Sequence, residues 1–178
     1  TKIFGIVFSS TNMSTKLIKP FIIAEIGNNH NGQIKRAKRL ILAAKEAGAQ
    51  VAKFQIRDFA TLYRGELGAI EDLGVEYTKD LLLKYELPRE DHVELSAFCK
   101  DIGMEYMCTP WDILSVTVLE DFGVEAYKVA SADFTNHEFL KEIVNTNKPL
   151  FISTGMSTEE EISETVVFLD SLNAQYIL

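Results

Sequence analysis

A chain of 178 residues with 47% hydrophobic content has the size of one domain and enough apolar side chains to bury a substantial core. Its 26 acidic against 18 basic residues leave a net charge of −8, and no lysine or arginine run is long enough to track a phosphate backbone, which argues against nucleic acid as a partner. Two cysteines, Cys99 and Cys108, fit neither a metal-ligand spacing nor a secreted disulfide framework and suit a reducing cytoplasm.

In chain order, residues 1–20 read as a short hairpin or extension, running from Ile3 to Phe8, across the turn-rich Ser9-Ser10-Thr11-Asn12, to Leu17 through Lys19. The apolar start is too short to span a membrane and lacks the flanks of a signal peptide, so neither membrane nor export is expected. From Phe21 onward, short β-branched or apolar runs alternate with amphipathic stretches, the rhythm of repeated βα units. Strands are expected from Phe21 to Ile26, Val51 to Ile56, Met104 to Cys108, Ala126 to Ala130, Leu150 to Ser153 and Gln175 to Leu178. Helices are expected from Ile34 to Ala47, Arg89 to Asp101, Ile113 to Phe122, His137 to Asn145 and Thr158 to Leu172. Gly48, Gly103 and Gly123 stand where three of these end, and Ser157-Thr158 followed by three glutamates reads as a helix start. The segment from Arg57 to Thr78 has no clear period and reads as a long βα loop of the kind that covers active sites.

Strand polarity separates the two architectures open to a βα repeat. A doubly wound sheet covered on both faces needs central strands apolar almost throughout. Here Lys53 and Gln55 alternate with Ala52, Phe54 and Ile56, Glu25 alternates with Ala24 and Ile26, and Lys128 lies between Tyr127 and Val129. One polar parity repeated on several strands fits a (β/α)8 TIM barrel whose lumen holds a ligand near the C-terminal rim. A complete barrel needs roughly 250 residues, so the expectation is an incomplete α/β barrel: about five βα units and the start of a sixth strand.

Lys53 and Lys128, on different strands among apolar neighbours, need anions if they are buried. A small dianion such as phosphate or carboxylate would serve, with hydroxyls of Thr109, Ser131, Ser153 and Thr154 at the strand ends to help; structural ion pairs with Glu25 and Asp133 would serve equally. Glu25 and Asp133 are also placed to move a proton or hold a water or sugar hydroxyl if their pKa values are raised. His30, in the loop Gly27-Asn28-Asn29-His30-Asn31-Gly32, reads either as a turn residue or as a group orienting a substrate hydroxyl. His92 and His137 read as surface residues, and no histidine pair has metal-ligand spacing. No catalytic Ser-His-Asp order, P-loop or dinucleotide fingerprint occurs.

Several linked motifs carry a family resemblance. Phe21 through Gly27 with Asn29-His30-Asn31-Gly32, Ala52-Lys53-Phe54-Gln55, Cys108-Thr109-Pro110-Trp111-Asp112, Tyr127-Lys128-Val129-Ala130-Ser131, and Lys148-Pro149 through Thr158 resemble the N-acetylneuraminate synthase family, in that family's order. The resemblance implies a TIM barrel followed by an antifreeze-like domain, and condensation of phosphoenolpyruvate with N-acetylmannosamine or a related amino sugar, with release of phosphate. It implies that Lys53, Thr109, Lys128, Ser131 and Ser153 hold phosphoenolpyruvate, that Gln55 meets the sugar, and that Glu25 acts near the reacting carbons or their water. Asp133 would stand where many relatives hold a metal-bound water with an acidic residue. The implied mechanism has a divalent metal, manganese or magnesium, polarise the sugar aldehyde; C3 of phosphoenolpyruvate attacks it, and water adds before phosphate leaves. The metal's histidine ligands and the antifreeze-like domain are expected beyond Leu178, and the complete protein is expected to be a homodimer. Ala132-Asp133, Cys108 and Trp111 depart from the commoner residues and bear on sugar preference, so a pseudaminic, legionaminic or spore-coat sugar synthase is the nearest alternative. A non-catalytic phosphoenolpyruvate-binding fragment is another.

Overall fold

The computed structural model describes residues 2–3, 6–7, 20–62 and 80–178. Six strands form one parallel sheet in sequence order, β3 (Ile23–Glu25), β4 (Val51–Ile56), β5 (Glu105–Pro110), β6 (Tyr127–Val129), β7 (Leu150–Ile152) and β8 (Tyr176–Ile177). Every neighbour in the sheet is also a neighbour along the chain, and a helix lies in each connection, so the order never reverses as it does in a doubly wound fold. This is the run of a (β/α)8 barrel over six of its strands.

The helices are α1 (Ile34–Glu46), α2 (Phe59–Leu62), α3 over 80–85, α4 (Arg89–Asp101), α5 (Ile113–Asp121), α6 (His137–Val144) and α7 (Glu159–Ser171). Their starts are chemically marked. Asp112 caps α5 by accepting from Ser115 N, Asn136 caps α6 by accepting from Phe139 N, and Thr158 with Glu161 makes a reciprocal capping box on α7. Gly48, Gly103 and Gly123 take φ of 90°, 70° and 71°, the left-handed geometry that returns the chain toward the next strand.

The two strand parities divide as the polarity pattern requires. Ala52, Phe54 and Ile56 of β4, Tyr106 and Cys108 of β5, and Tyr127 and Val129 of β6 pack outward beneath the helices, against Ile41, Leu95, Leu119 and Leu140 among others. Each large side chain buried there contributes roughly 1.5–3 kcal/mol. On the inner face, Val51, Met107 and Ala126, with Phe21, Ile23 and Phe151 packed against them, make an apolar layer low in the lumen. One step further along the same parity come Glu25, Lys53, Thr109, Lys128 and Ser153, above that layer toward the C-terminal side of the sheet.

Three expectations change. The N-terminal hairpin is tighter than its sequence pattern: β1 (Lys2–Ile3) pairs antiparallel with β2 (Ile6–Val7), and the expected arm from Leu17 to Lys19 lies outside the described residues. The stretch after β4 is not wholly loop, because α2 falls within it; 63–79 lie outside the described residues. His92 is not a surface residue. It is fully buried, with its Nδ1 2.6 Å from the Tyr106 hydroxyl and its ring edge-on to Phe54, because α4 presents this position to the outer sheet face rather than to solvent. His137 is half-buried, stacked on Phe168 and bonded to Thr165.

Burial pushes His92 down from 6.5 to about 4, with the neighbouring His30 adding to the effect. The unfolded chain takes up this proton near 6.5 and the folded chain only near 4, so the unfolded state binds more protons between those values. Stability should therefore fall as pH drops from 6.5 to 4, by roughly 3 kcal/mol once the window is crossed. Thermal unfolding across that range should show the loss, and His92→Gln should make it shallower; an equal slope in the variant would assign the acid sensitivity elsewhere.

Candidate active site

Lys53 lies in the middle of β4 with only 8% of its surface exposed. Its Nζ contacts a Glu25 carboxylate oxygen across the β3–β4 pair, where Glu25 is in register with Lys53, and donates to Thr109 Oγ1 at 3.4 Å on β5. Lys128, on β6, donates to the carbonyl of Val129 and to Ser153 Oγ at 2.7 Å, just past β7. Five of the eight candidate residues thus fall in two contact groups, Glu25–Lys53–Thr109 across β3 to β5 and Lys128–Ser153 across β6 and β7. Both lysines line one hollow of about 290 Å³, with Ile23 and Phe151 beneath them.

Electrostatics describe a site short of negative charge. Burial, and after it the positive charge of Lys128, together lower Lys53 from 10.5 to about 8. The Glu25 contact does not restore the ordinary value, because the Glu25 side chain is 49% exposed and solvent screens it. Burial alone brings Lys128 to about 8. Two ammonium groups shifted by burial, only one of them in contact with a carboxylate, have the electrostatics that would suit an anion carrying more than one negative charge.

The remaining candidates frame this pair. Ser131 opens the 3-10 turn Ser131–Asp133 after β6, and its Oγ approaches Gly155 closely enough that a Cβ there would lie 3.7 Å away. Asp133, in the same turn, does not pair with either lysine, which corrects the structural-pair alternative for Lys128; that ammonium meets a carbonyl and a hydroxyl instead. One Asp133 carboxylate oxygen, Oδ2, is buried without a partner, and burial raises the pKa of the group despite a bond from Asn136. Gln55 closes the inner row of β4, its oxygen bonded to Arg57 and Trp111. His30 is a turn residue: its Nδ1 accepts from Gly32 N at 3.1 Å, and its ring stacks on Phe54, which faces the helices, so it turns away from the lumen.

Arg57 and Glu86, which pattern reading did not single out, complete the rim with Trp111 and Asp112. Arg57 Nη1 bonds Glu86 Oε2 at 2.9 Å, its guanidinium sits over the Trp111 ring at 4.9 Å, and Asp112 accepts from Asp58 N at 2.7 Å. Arg57 continues the parity of Lys53 and Gln55, a signal available in the sequence; Glu86 is 29 residues away and nothing local announces it. Among the described residues no cluster of three or more His, Cys, Asp or Glu could hold a metal ion, so no residue here is assigned as a ligand. A larger hollow, about 780 Å³, opens at the N-terminal ends of the strands, but none of the buried polar atoms lacking a partner lines it.

Fold and site together define part of a barrel wall with two lysines on its inner face. Residues 40–178 match the NeuB family, and the chain belongs to that family. It is 36% identical over 163 residues to the N,N'-diacetyllegionaminic acid synthase of Legionella pneumophila, covering 88% of this chain and 44% of that protein. It is 35% identical over 159 residues to the N-acetylneuraminate-9-phosphate synthase of Drosophila melanogaster, covering 86% and 43%. Among solved structures, the N-acetylneuraminic acid synthetase of Leptospira borgpetersenii in complex with citrate superposes with a TM-score of 0.79 at 27% identity, over 89% of this chain and 52% of that one. The chain spans about half the length of the relatives it matches.

Gly27 ties the loop after β3 to this rim. Its φ is +49°, and a Cβ there would stand 2.8 Å from Glu25 Oε1 and 3.3 Å from Gln55 Nε2. Gly27→Ala should cost about 1–2 kcal/mol from the left-handed backbone and push the Glu25 carboxylate off Lys53. Denaturant unfolding reads the first effect; unchanged stability would mean that the loop relaxes freely around an added methyl.

Proposed function

We propose that this chain forms the phosphoenolpyruvate-binding wall of a transferase that condenses phosphoenolpyruvate with an N-acetylated amino sugar, N-acetylmannosamine or a relative, to give a sialic-acid-type nonulosonate and phosphate. The observation that carries the reading is the convergence of Lys53 and Lys128, both lowered to about 8, on one hollow above an apolar layer. Phosphoenolpyruvate brings a phosphate and a carboxylate within a few ångströms, which suits two ammonium groups flanked by the hydroxyls of Thr109, Ser131 and Ser153.

In this reading the lysines hold the phosphate through the reaction and stabilise it as it leaves, and the apolar layer below strengthens their field by excluding water. C3 of phosphoenolpyruvate forms the new carbon–carbon bond with the sugar's aldehyde carbon. Water then adds at C2, and the bond from C2 to the phosphate oxygen breaks. The Asp133 carboxyl, with its raised pKa and unpartnered oxygen, is suited to hold or move a proton of that water. Glu25, paired with Lys53, lies beside the reacting carbons and orients the lysine. Gln55 meets the sugar. The divalent metal, manganese or magnesium, belongs to this proposal as a requirement of the full-length protein, with ligands outside these residues. So do a homodimer and a cytoplasmic location, where the free and buried thiols of Cys99 and Cys108 persist. A legionaminic-type sugar is the second reading, favoured by the relative from Legionella pneumophila.

Phosphate release by the full-length protein, with metal supplied and a panel of N-acylated hexosamines offered, tests the reaction; no release with any of them sinks it. Lys53→Ala or Lys128→Ala should weaken phosphoenolpyruvate binding by roughly 2–5 kcal/mol in calorimetry. An unchanged dissociation constant in both variants would remove these lysines from the site.

The pH dependence has a fixed sign. Bound dianion favours the charged lysines and raises their pKa values, so binding takes up protons where the free lysines are partly neutral. Affinity for phosphoenolpyruvate should fall as pH rises through about 8. A flat profile up to pH 10 would show that these ammonium groups do not bear on the ligand.

A further inference from the structure

The side-chain oxygen of Gln55 is engaged twice: Arg57 Nη2 donates to it at 2.5 Å and Trp111 Nε1 at 3.3 Å. Guanidinium and indole are donors only. Reversing the amide would set its own N–H groups against both of them, so the chemistry of the partners, and not the drawing of the two amide atoms, fixes which end faces which way. An amide oxygen accepts about two hydrogen bonds, and both are used. What Gln55 turns toward the rim is Nε2, near Gly27 and the Glu25 carboxylate.

The clamp is itself held. Arg57 bonds Glu86 through both its side chain, at 2.9 Å, and its backbone N–H, at 3.1 Å, and its guanidinium lies over the Trp111 ring. The Arg57 side chain is 6% exposed, so its charge is spent inside the protein and is not offered to a ligand. Burial raises the pKa of Glu86 while Arg57 pulls it down, which leaves the two dependent on each other.

We infer that Arg57 and Trp111 are positioning residues that lock Gln55 as a donor-only contact, so the bound amino sugar must present a hydrogen-bond acceptor to it, such as an acylamide or hydroxyl oxygen. This rests on the synthase reading above. The selectivity is built from residues that do not touch the sugar.

Steady-state kinetics of the full-length protein, with sugar and phosphoenolpyruvate varied separately, test the assignment. Trp111→Phe keeps an aromatic face for Arg57 and deletes one donor to Gln55. The expected result is a KM for the N-acylated sugar raised about 3- to 10-fold, as for loss of one hydrogen bond, with the KM for phosphoenolpyruvate within about twofold of wild type. In a Gln55→Ala background the same Trp111→Phe change should add nothing, because Trp111 acts through Gln55. Gln55→Glu, which replaces the donors with an acceptor, should lose the N-acylated sugar at least as severely. Additive losses in the double variant, or equal effects on both KM values, would overturn the assignment. Failure of the synthase reading looks different: wild type would turn over no amino sugar at all, and the inference would fall with it.

Discussion

Two ammonium groups held inside a barrel wall are the constraint around which this structure is organised. Lys53 and Lys128 are costly to bury, and neither is fully neutralised by protein: one meets a half-exposed carboxylate, the other a carbonyl and a hydroxyl. The folded chain bears that cost through the outer face of the same strands, where Phe54, Tyr127, Leu150 and their neighbours are sealed under helices. Alternation of side chains along a strand makes the two jobs compatible, since every residue that turns into the lumen leaves its neighbours free to make core.

The apolar layer of Val51, Met107 and Ala126 beneath the lysines gives their charge its strength. Water beneath the rim would screen the ammonium groups and return their pKa values toward the ordinary range. With that layer in place both lysines are held near 8, low for their kind. The loops supply what strands cannot. Gly27 brings Glu25 and Gln55 to one point, and the 3-10 turn after β6 buries an Asp133 oxygen that nothing in the described residues satisfies.

Membership of the NeuB family and the arc of six parallel strands agree with this division of labour. The rim residues fall into two sets with different physics. The lysines and hydroxyls act, in the proposed function, through charge, which tolerates small displacements. Gln55, Arg57, Trp111 and Glu86 form a directional network in which each donor has an assigned acceptor, and such a network discriminates between groups of similar size.

Much of this was legible before any coordinates. β4 and α4 begin and end where their patterns say, because a six-residue alternation and a capped amphipathic run are local properties, and the glycines after three helices take the left-handed backbone their positions imply. The inward parity of Lys53, Gln55 and Lys128 was likewise local, as was the family resemblance carried by linked motifs. What the tertiary structure alone decided were the partners. That Glu25 rather than Asp133 meets a lysine, that His30 turns to the helices and His92 is buried under α4, and that Glu86 reaches back 29 residues to hold Arg57, depend on which elements lie side by side. Periodicity sets the face a residue occupies; only the packing of distant segments sets what it finds there.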